Sequence, residues 1–118
     1  MNTKDHKPGQ IFECNVPYAD GANPNGITEK PRPVLLITAP DVLGDVVVLP
    51  ITGSGHHPNT IALQSADMAK GTMKKSSYVR VRKPLTVNLS ILGATFGDLS
   101  STGLQRIKRE MCVALEGC

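Results

Sequence analysis

Two short apolar runs, Val34 to Ile37 and Val46 to Leu49, dominate the hydrophobic pattern of the chain. Each is continuous rather than alternating, and each is bounded by proline: Pro33 before the first and Pro50 after the second. Runs of this length between turn signals read as buried strands, and Gly44-Asp45 supplies the turn between them. They are expected to form a central antiparallel pair joined through Ala39 to Asp45. Arg32 lies between Pro31 and Pro33, where the backbone is held extended at the entrance of the first strand. Thr52 lies just past the second strand, before Gly53, Ser54 and Gly55. Antiparallel pairing would make Arg32 and Thr52 neighbours at one end of the sheet.

The other segments fit around this pair. Gly9 to Pro17 alternates Phe12, Cys14 and Val16 against Glu13 and Asn15, the period of a half-buried strand. Tyr18 to Glu29 is rich in Gly, Asn, Asp and Pro and reads as a long hairpin loop. Asn59 to Leu63 is the next expected strand, and Gln64 to Lys75 offers one helical turn ended by Gly71 and followed by Lys74 and Lys75. In Ser76 to Lys83, a two-residue period points Val79 and Val81 inward and puts Tyr78, Arg80 and Arg82 on the opposite face. Pro84 ends that strand. Ile91 to Phe96 forms a last short strand around Gly93. Asp98 to Gly117 reads as a helix, with Thr102 and Gln105 as a capping box and Leu104, Ile107, Met111 and Ala114 or Leu115 on one face. Arg106, Lys108 and Arg109 fall on its solvated side. The class is mainly β with α: five to six short antiparallel strands and a C-terminal helix.

At 118 residues the chain has room for one domain with a core. A polar leader is expected over residues 1–8 and a single domain over 9–118. No apolar run approaches the roughly 20 residues of a membrane helix, and MNTKDHKPGQ lacks the apolar stretch of a secretory signal, so a cytoplasmic location is expected. Cys14, Cys112 and Cys118 are odd in number and lack ligand spacing, which argues against a disulfide framework and a zinc site. Cys14 and Cys112 are expected as small core residues, and Cys118 as exposed. No metal or cofactor is indicated. The net charge of +3 is only weak support for a polyanionic partner.

Two groups of residues could carry chemistry. His56 and His57, in the GSGHHP turn beside Thr52, have the side chain best suited to proton transfer near neutral pH. Adjacent histidines in a glycine loop are also commonly idle in solvent. The face of Tyr78, Arg80 and Arg82 suits stacking on a base and neutralising phosphates. A solvated strand face is its alternative.

RPVLLI followed by VVVLPIT resembles the signature of the MazF/PemK toxins, sequence-selective endoribonucleases of type II toxin-antitoxin pairs. The glycine-led first strand, SSYVRVRKPLTVN and the terminal helix extend the resemblance from Gly9 to Leu115. It implies a small SH3-like, CcdB-type barrel that forms a homodimer, binds single-stranded RNA such as mRNA across its subunits, and is blocked by a cognate antitoxin competing near the Tyr18 to Glu29 loop. It also implies metal-independent cleavage through a 2′,3′-cyclic phosphate. Arg32 would stabilise the phosphorane, Thr52 would bond the same phosphate or orient the attacking hydroxyl, and Arg80 matches an arginine used in acid catalysis or charge stabilisation. Tyr78, Arg82, Lys83 and Ser54 are RNA-binding candidates. Some members have an aspartate, taken as general base, two residues after that arginine; here Arg82 occupies the position. The proton acceptor is thereby left among Glu29, His56 and His57, and an inactive RNA- or antitoxin-binding member is the competing reading. A CcdB-like gyrase poison relies on a C-terminal tryptophan, and this chain has no tryptophan.

Overall fold

The computed structural model describes residues 6–17, 29–53, 55, 58–72 and 76–117. The strands are β1 (Gln10–Pro17), β2 (Glu29–Leu36), β3 (Asp45–Thr52), β4 (Thr60–Ala62), β5 (Met68–Lys70), β6 (Tyr78–Arg80), β7 (Leu85–Asn88) and β8 (Leu92–Leu99), followed by helix α1 (Ser101–Ala114). They form one curled antiparallel sheet in the order β4-β6-β3-β2-β1-β8-β5. β7 pairs with the first half of β3, from Asp45↔Asn88 to Val48↔Leu85, and β6 pairs with its end, at Ile51↔Val79 and Thr52↔Tyr78. β3 therefore changes partner along its length.

The expected central pair is present, with Leu35 opposite Leu49 and Leu36 opposite Val48. Its connection is fastened by Asp41, whose Oδ1 accepts from the N–H groups of Leu43 and Asp45, both at 2.9 Å. Because two adjacent apolar runs supply both parities of each strand, the sheet buries both faces. Ile11, Leu35, Leu49, Ile51, Val79 and Ile107 belong to one cluster, against which Leu104, Met111 and Ala114 of α1 pack. Phe12, Cys14, Val16, Val34, Leu36, Val46, Val48 and Leu89 make the other.

Several boundaries differ from the sequence expectation. β2 begins at Glu29, so Arg32 lies within the strand, paired with Cys14 of β1, rather than at its entrance. The prolines are tolerated because Ile37 N–H donates to Val47 of β3 at 2.9 Å. Odd positions of β2 therefore face β3, and the absent N–H groups of Pro31 and Pro33 fall beyond the end of that ladder at Val34↔Pro50. The stretch expected as one helical turn is a 3-10 turn, Ser65–Asp67, followed by β5, which pairs with β8. That pairing, with Gln10↔Asp98, keeps Asp98 and Leu99 in the sheet, so α1 starts later than Asp98. Its cap is Ser100, whose hydroxyl accepts from Gly103 N–H at 3.0 Å; Thr102 and Gln105 are exposed helix positions and not a capping box. Cys112 is half-buried and disulfide-bonded, not a free core thiol. Cys14 is buried and is not disulfide-bonded.

α1 docks on the 3-10 turn through Gly103, where a Cβ would stand 2.7 Å from the carbonyl oxygen of Asp67. Beside it Arg106 donates to Asp67 Oδ2 at 2.7 Å and to the Ala62 carbonyl at 3.0 Å. The helix is thus tied to the edge strand β4 as well as to the core. No described helix is long and apolar enough to cross a membrane.

Candidate active site

Alternation along the strands decides which side chains meet. Val34 and Leu36 lie in the cluster on the side away from α1, so Arg32, two residues before Val34, has the same parity. Val46 and Val48 put Thr52 on that side too, and Val79, which faces α1, puts Tyr78 and Arg80 opposite it. The register then aligns them. Arg32 pairs with Cys14, and Thr52 pairs with Tyr78, which pairs with Ala62. The β2–β3 register, Val34↔Pro50, continued by two residues sets Arg32 opposite Thr52. Cys14, Arg32, Thr52, Tyr78 and Ala62 consequently form one row across five strands. Arg80, paired with Thr60, lies in the adjacent row.

Arg32, Thr52, Tyr78 and Arg80 are therefore brought to one face; the sequence pattern predicts Arg32 beside Thr52 and Tyr78 with Arg80, and the register joins the two pairs. Arg32 and Arg80 are two strands and two residues apart, roughly 10–12 Å between backbones. That span lets two extended guanidinium groups close on a phosphate placed over Thr52. Arg32, Tyr78 and Arg80 are half-buried and Thr52 is buried. The side chains of Arg32 and Arg80 make no hydrogen bond or ion pair among the described residues, leaving their guanidinium donors for a ligand.

Arg82 lies past the end of the expected strand. β6 ends at Arg80, and Lys83 N–H closes a turn on the Arg80 carbonyl at 3.3 Å, so Arg82 leaves the strand alternation. It is exposed and lies 3.8 Å from Glu116 Oε2, beyond the end of α1. The turn still keeps the cations together: Arg80, Arg82 and Lys83 line a shallow cleft of about 290 Å³ with Pro58 and Asn59. Such an array holds excess positive charge beside the row. Ser54, His56 and His57 lie outside the described residues, as do Lys74, Lys75, Cys118 and the loop over 18–28. Glu29 opens β2, and its side chain is outside the description.

Two neighbours of the site are not evident from residue chemistry alone. Gly55 lies against Tyr78, and its small size is the available signal. Asn59 has a left-handed backbone, φ 59°, signalled by the Pro58-Asn59 turn before β4. Among the described residues no three His, Cys, Asp or Glu side chains cluster as metal ligands would. Among the described residues the shifted carboxyl is that of Asp67, joined through Arg106 to the carbonyl of Ala62 at the β4 end of the row. Burial pushes the Asp67 carboxyl up, but the Arg106 hydrogen bond, the Gln64 N–H and the Arg106 charge together hold it below its ordinary value.

The sequence model of a family described as the PemK-like, MazF-like toxin of type II toxin-antitoxin systems matches residues 7–115. No curated protein matches the chain. Among solved structures, an endoribonuclease in complex with its cognate antitoxin from a mycobacterial species is 20% identical, with a TM-score of 0.66 over 98% of this chain and 96% of that one. The toxin MazF-mt6 of Mycobacterium tuberculosis is 21% identical, with a TM-score of 0.63 over 93% and 97%. A MazE-MazF structure from Deinococcus radiodurans is 14% identical, with a TM-score of 0.68 over 96% and 98%. At these identities the likeness is one of fold: strands curled around a core, with a C-terminal helix.

Proposed function

Since the chain belongs to the PemK-like, MazF-like toxins of type II toxin-antitoxin systems, we propose that it cleaves single-stranded RNA at selected sequences without a metal ion. The observation that carries this reading is the shared face of Arg32, Thr52, Tyr78 and Arg80, the first three in one row and Arg80 in the next. In the reaction the ribose 2′-oxygen forms a bond to the adjacent phosphorus and the P–O5′ bond breaks. The 2′-proton passes to an acceptor and a proton reaches the departing 5′-oxygen, leaving a 2′,3′-cyclic phosphate and a 5′-hydroxyl. Negative charge develops on the non-bridging oxygens between those events.

Arg32 suits that charge because its guanidinium is permanently protonated and forked. Thr52 supplies a short hydroxyl beside it, to hold the phosphate or orient the 2′-hydroxyl. Arg80 approaches from the next row as a second source of charge, and Tyr78 offers a ring on which a flanking base stacks. Arg82 and Lys83 hold phosphates further along the strand, with Ser54 a further contact. Glu29, His56 and His57 are the candidate proton acceptors. The protein would act as a cytoplasmic homodimer whose single toxin domain follows the short leader, with a cognate antitoxin silencing the same face. The similar mycobacterial endoribonuclease, solved with its antitoxin, supports that partnership.

One observation favours a second reading. Arg82, where some relatives carry an acid, is exposed and turned out of the β6 ladder. A member that binds RNA or antitoxin without cutting would tolerate that change. Incubation of the purified protein with long mixed-sequence single-stranded RNA in EDTA separates the two. Discrete cuts whose fragments end in cyclic phosphate support the nuclease; bound but intact RNA would overturn it in favour of the binder.

A further inference from the structure

The cleft beside the catalytic row contains one residue that charge does not explain. Asn59 lines it with Pro58, Arg80, Arg82 and Lys83. Its backbone is left-handed at φ 59°, a conformation that L residues rarely hold and that asparagine tolerates better than most. The conformation is fixed from outside the side chain. Val81 N–H donates to the Asn59 carbonyl at 3.1 Å, and Thr60, the next residue, pairs with Arg80. Backbone and ladder thus lock the residue, while its exposed carboxamide makes no hydrogen bond among the described residues. A rigidly mounted amide with its donor and acceptor unused, in a cleft lined by three cations, is suited to reading something that arrives with phosphates.

We propose that Asn59 reads the edge of a nucleobase next to the scissile phosphate, while Arg80, Arg82 and Lys83 hold the flanking backbone. This rests on the ribonuclease reading above and extends it to the source of sequence selectivity. Phosphate contacts fix position but carry no sequence information, whereas a carboxamide offers one acceptor and a paired donor to one base edge. Adenine is the expected base, because its N6 donor lies beside an acceptor on two edges, N1 and N7. The ion pair of Arg82 does not oppose this. Its carboxylate partner is 3.8 Å away and both side chains are largely exposed, so an RNA phosphate can displace it.

The bland role for Asn59 is a turn residue chosen for its backbone, and glycine separates the two. Asn59→Gly keeps the left-handed backbone and removes the amide; Asn59→Ala removes the amide and strains the backbone. A pool of random-sequence RNA is incubated with wild type and each variant, the fragment ends are sequenced, and thermal unfolding is followed in parallel. The expected result is a preference for one base, adenine foremost, at one position beside the cut, of roughly 5- to 150-fold. Both variants should lose it, although only Asn59→Ala should lower the unfolding midpoint. Identical preferences in wild type and Asn59→Gly would overturn the assignment while leaving the nuclease intact. If wild type binds the pool without cutting, the nuclease reading fails by itself, and the bound RNA is sequenced for the same comparison. A pool neither cut nor bound would overturn both.

Discussion

A Cβ on Gly55 would lie 3.1 Å from Cζ and 3.2 Å from Cε1 of Tyr78, so the loop after β3 passes against the flank of the ring. That closeness holds Tyr78 beside Thr52, its cross-strand partner. Gly55→Ala would force the ring to move by a few tenths of an ångström. Affinity for single-stranded RNA should fall several-fold with stability within about 1 kcal/mol of wild type. Tyr78→Ala should cost about 1–3 kcal/mol of binding and Tyr78→Phe far less, since stacking needs the ring and not the hydroxyl. Fluorescence anisotropy with a labelled RNA oligonucleotide measures all three. Wild-type affinity in Tyr78→Ala would remove the ring from the RNA surface.

The cationic cleft predicts a salt effect. Replacing Arg80 and Arg82 together by glutamine removes two positive charges that would neutralise phosphates. The slope of log affinity against log salt should become shallower by about 1.4, at roughly 0.7 per phosphate contact on a single strand. Binding titrations between low and physiological salt test this. An unchanged slope would return these side chains to ordinary surface.

The strands nearest the site are the most legible part of the sequence. RPVLLI and VVVLPIT announce themselves because continuous apolar runs fit only strands buried on both faces, and the turn at Gly44 sets their register. That register, continued past its end at Val34↔Pro50, sets Arg32 opposite Thr52. Alternation in SSYVRVR likewise places Tyr78 and Arg80; the strand ends at Arg80, and a backbone turn carries Arg82 along the same cleft. Met68–Lys70 reads as part of a helical turn because three residues carry no period; only pairing with β8 makes them a strand. That same pairing displaces the start of α1, so Ser100 and not Thr102 is its cap. The bond at Cys112 is not legible from spacing, since an odd cysteine count gives no pairing rule. Asn59 is signalled only as part of the Pro58-Asn59 turn, because its backbone angle is imposed by Val81 and the β4–β6 ladder.

Asp67 and Arg106 give the fold a predictable acid limb. The Asp67 carboxyl is held below its ordinary value, so its contribution to stability is complete above about pH 4, where the unfolded carboxyl is ionised. It is lost as pH falls through the depressed folded value. Asp67→Asn should therefore be less stable than wild type at neutral pH, on the order of 1–2 kcal/mol given the partly exposed arginine. The gap should close on acidification towards pH 2. Urea unfolding at a series of pH values measures it; a constant gap would mean that the charge of Asp67 is not what stabilises the junction of α1 with the Ser65–Asp67 turn.

Arg32 carries the central claim. Its side chain makes no hydrogen bond or ion pair among the described residues, so truncating it should cost the fold little. The most direct measurement is the single-turnover cleavage rate of a sensitive RNA by Arg32→Ala beside wild type, in EDTA, with thermal unfolding of both. The rate should be lower by at least about 10²- to 10³-fold, with an unfolding midpoint close to wild type. A folded Arg32→Ala protein that cuts at the wild-type rate would contradict that claim.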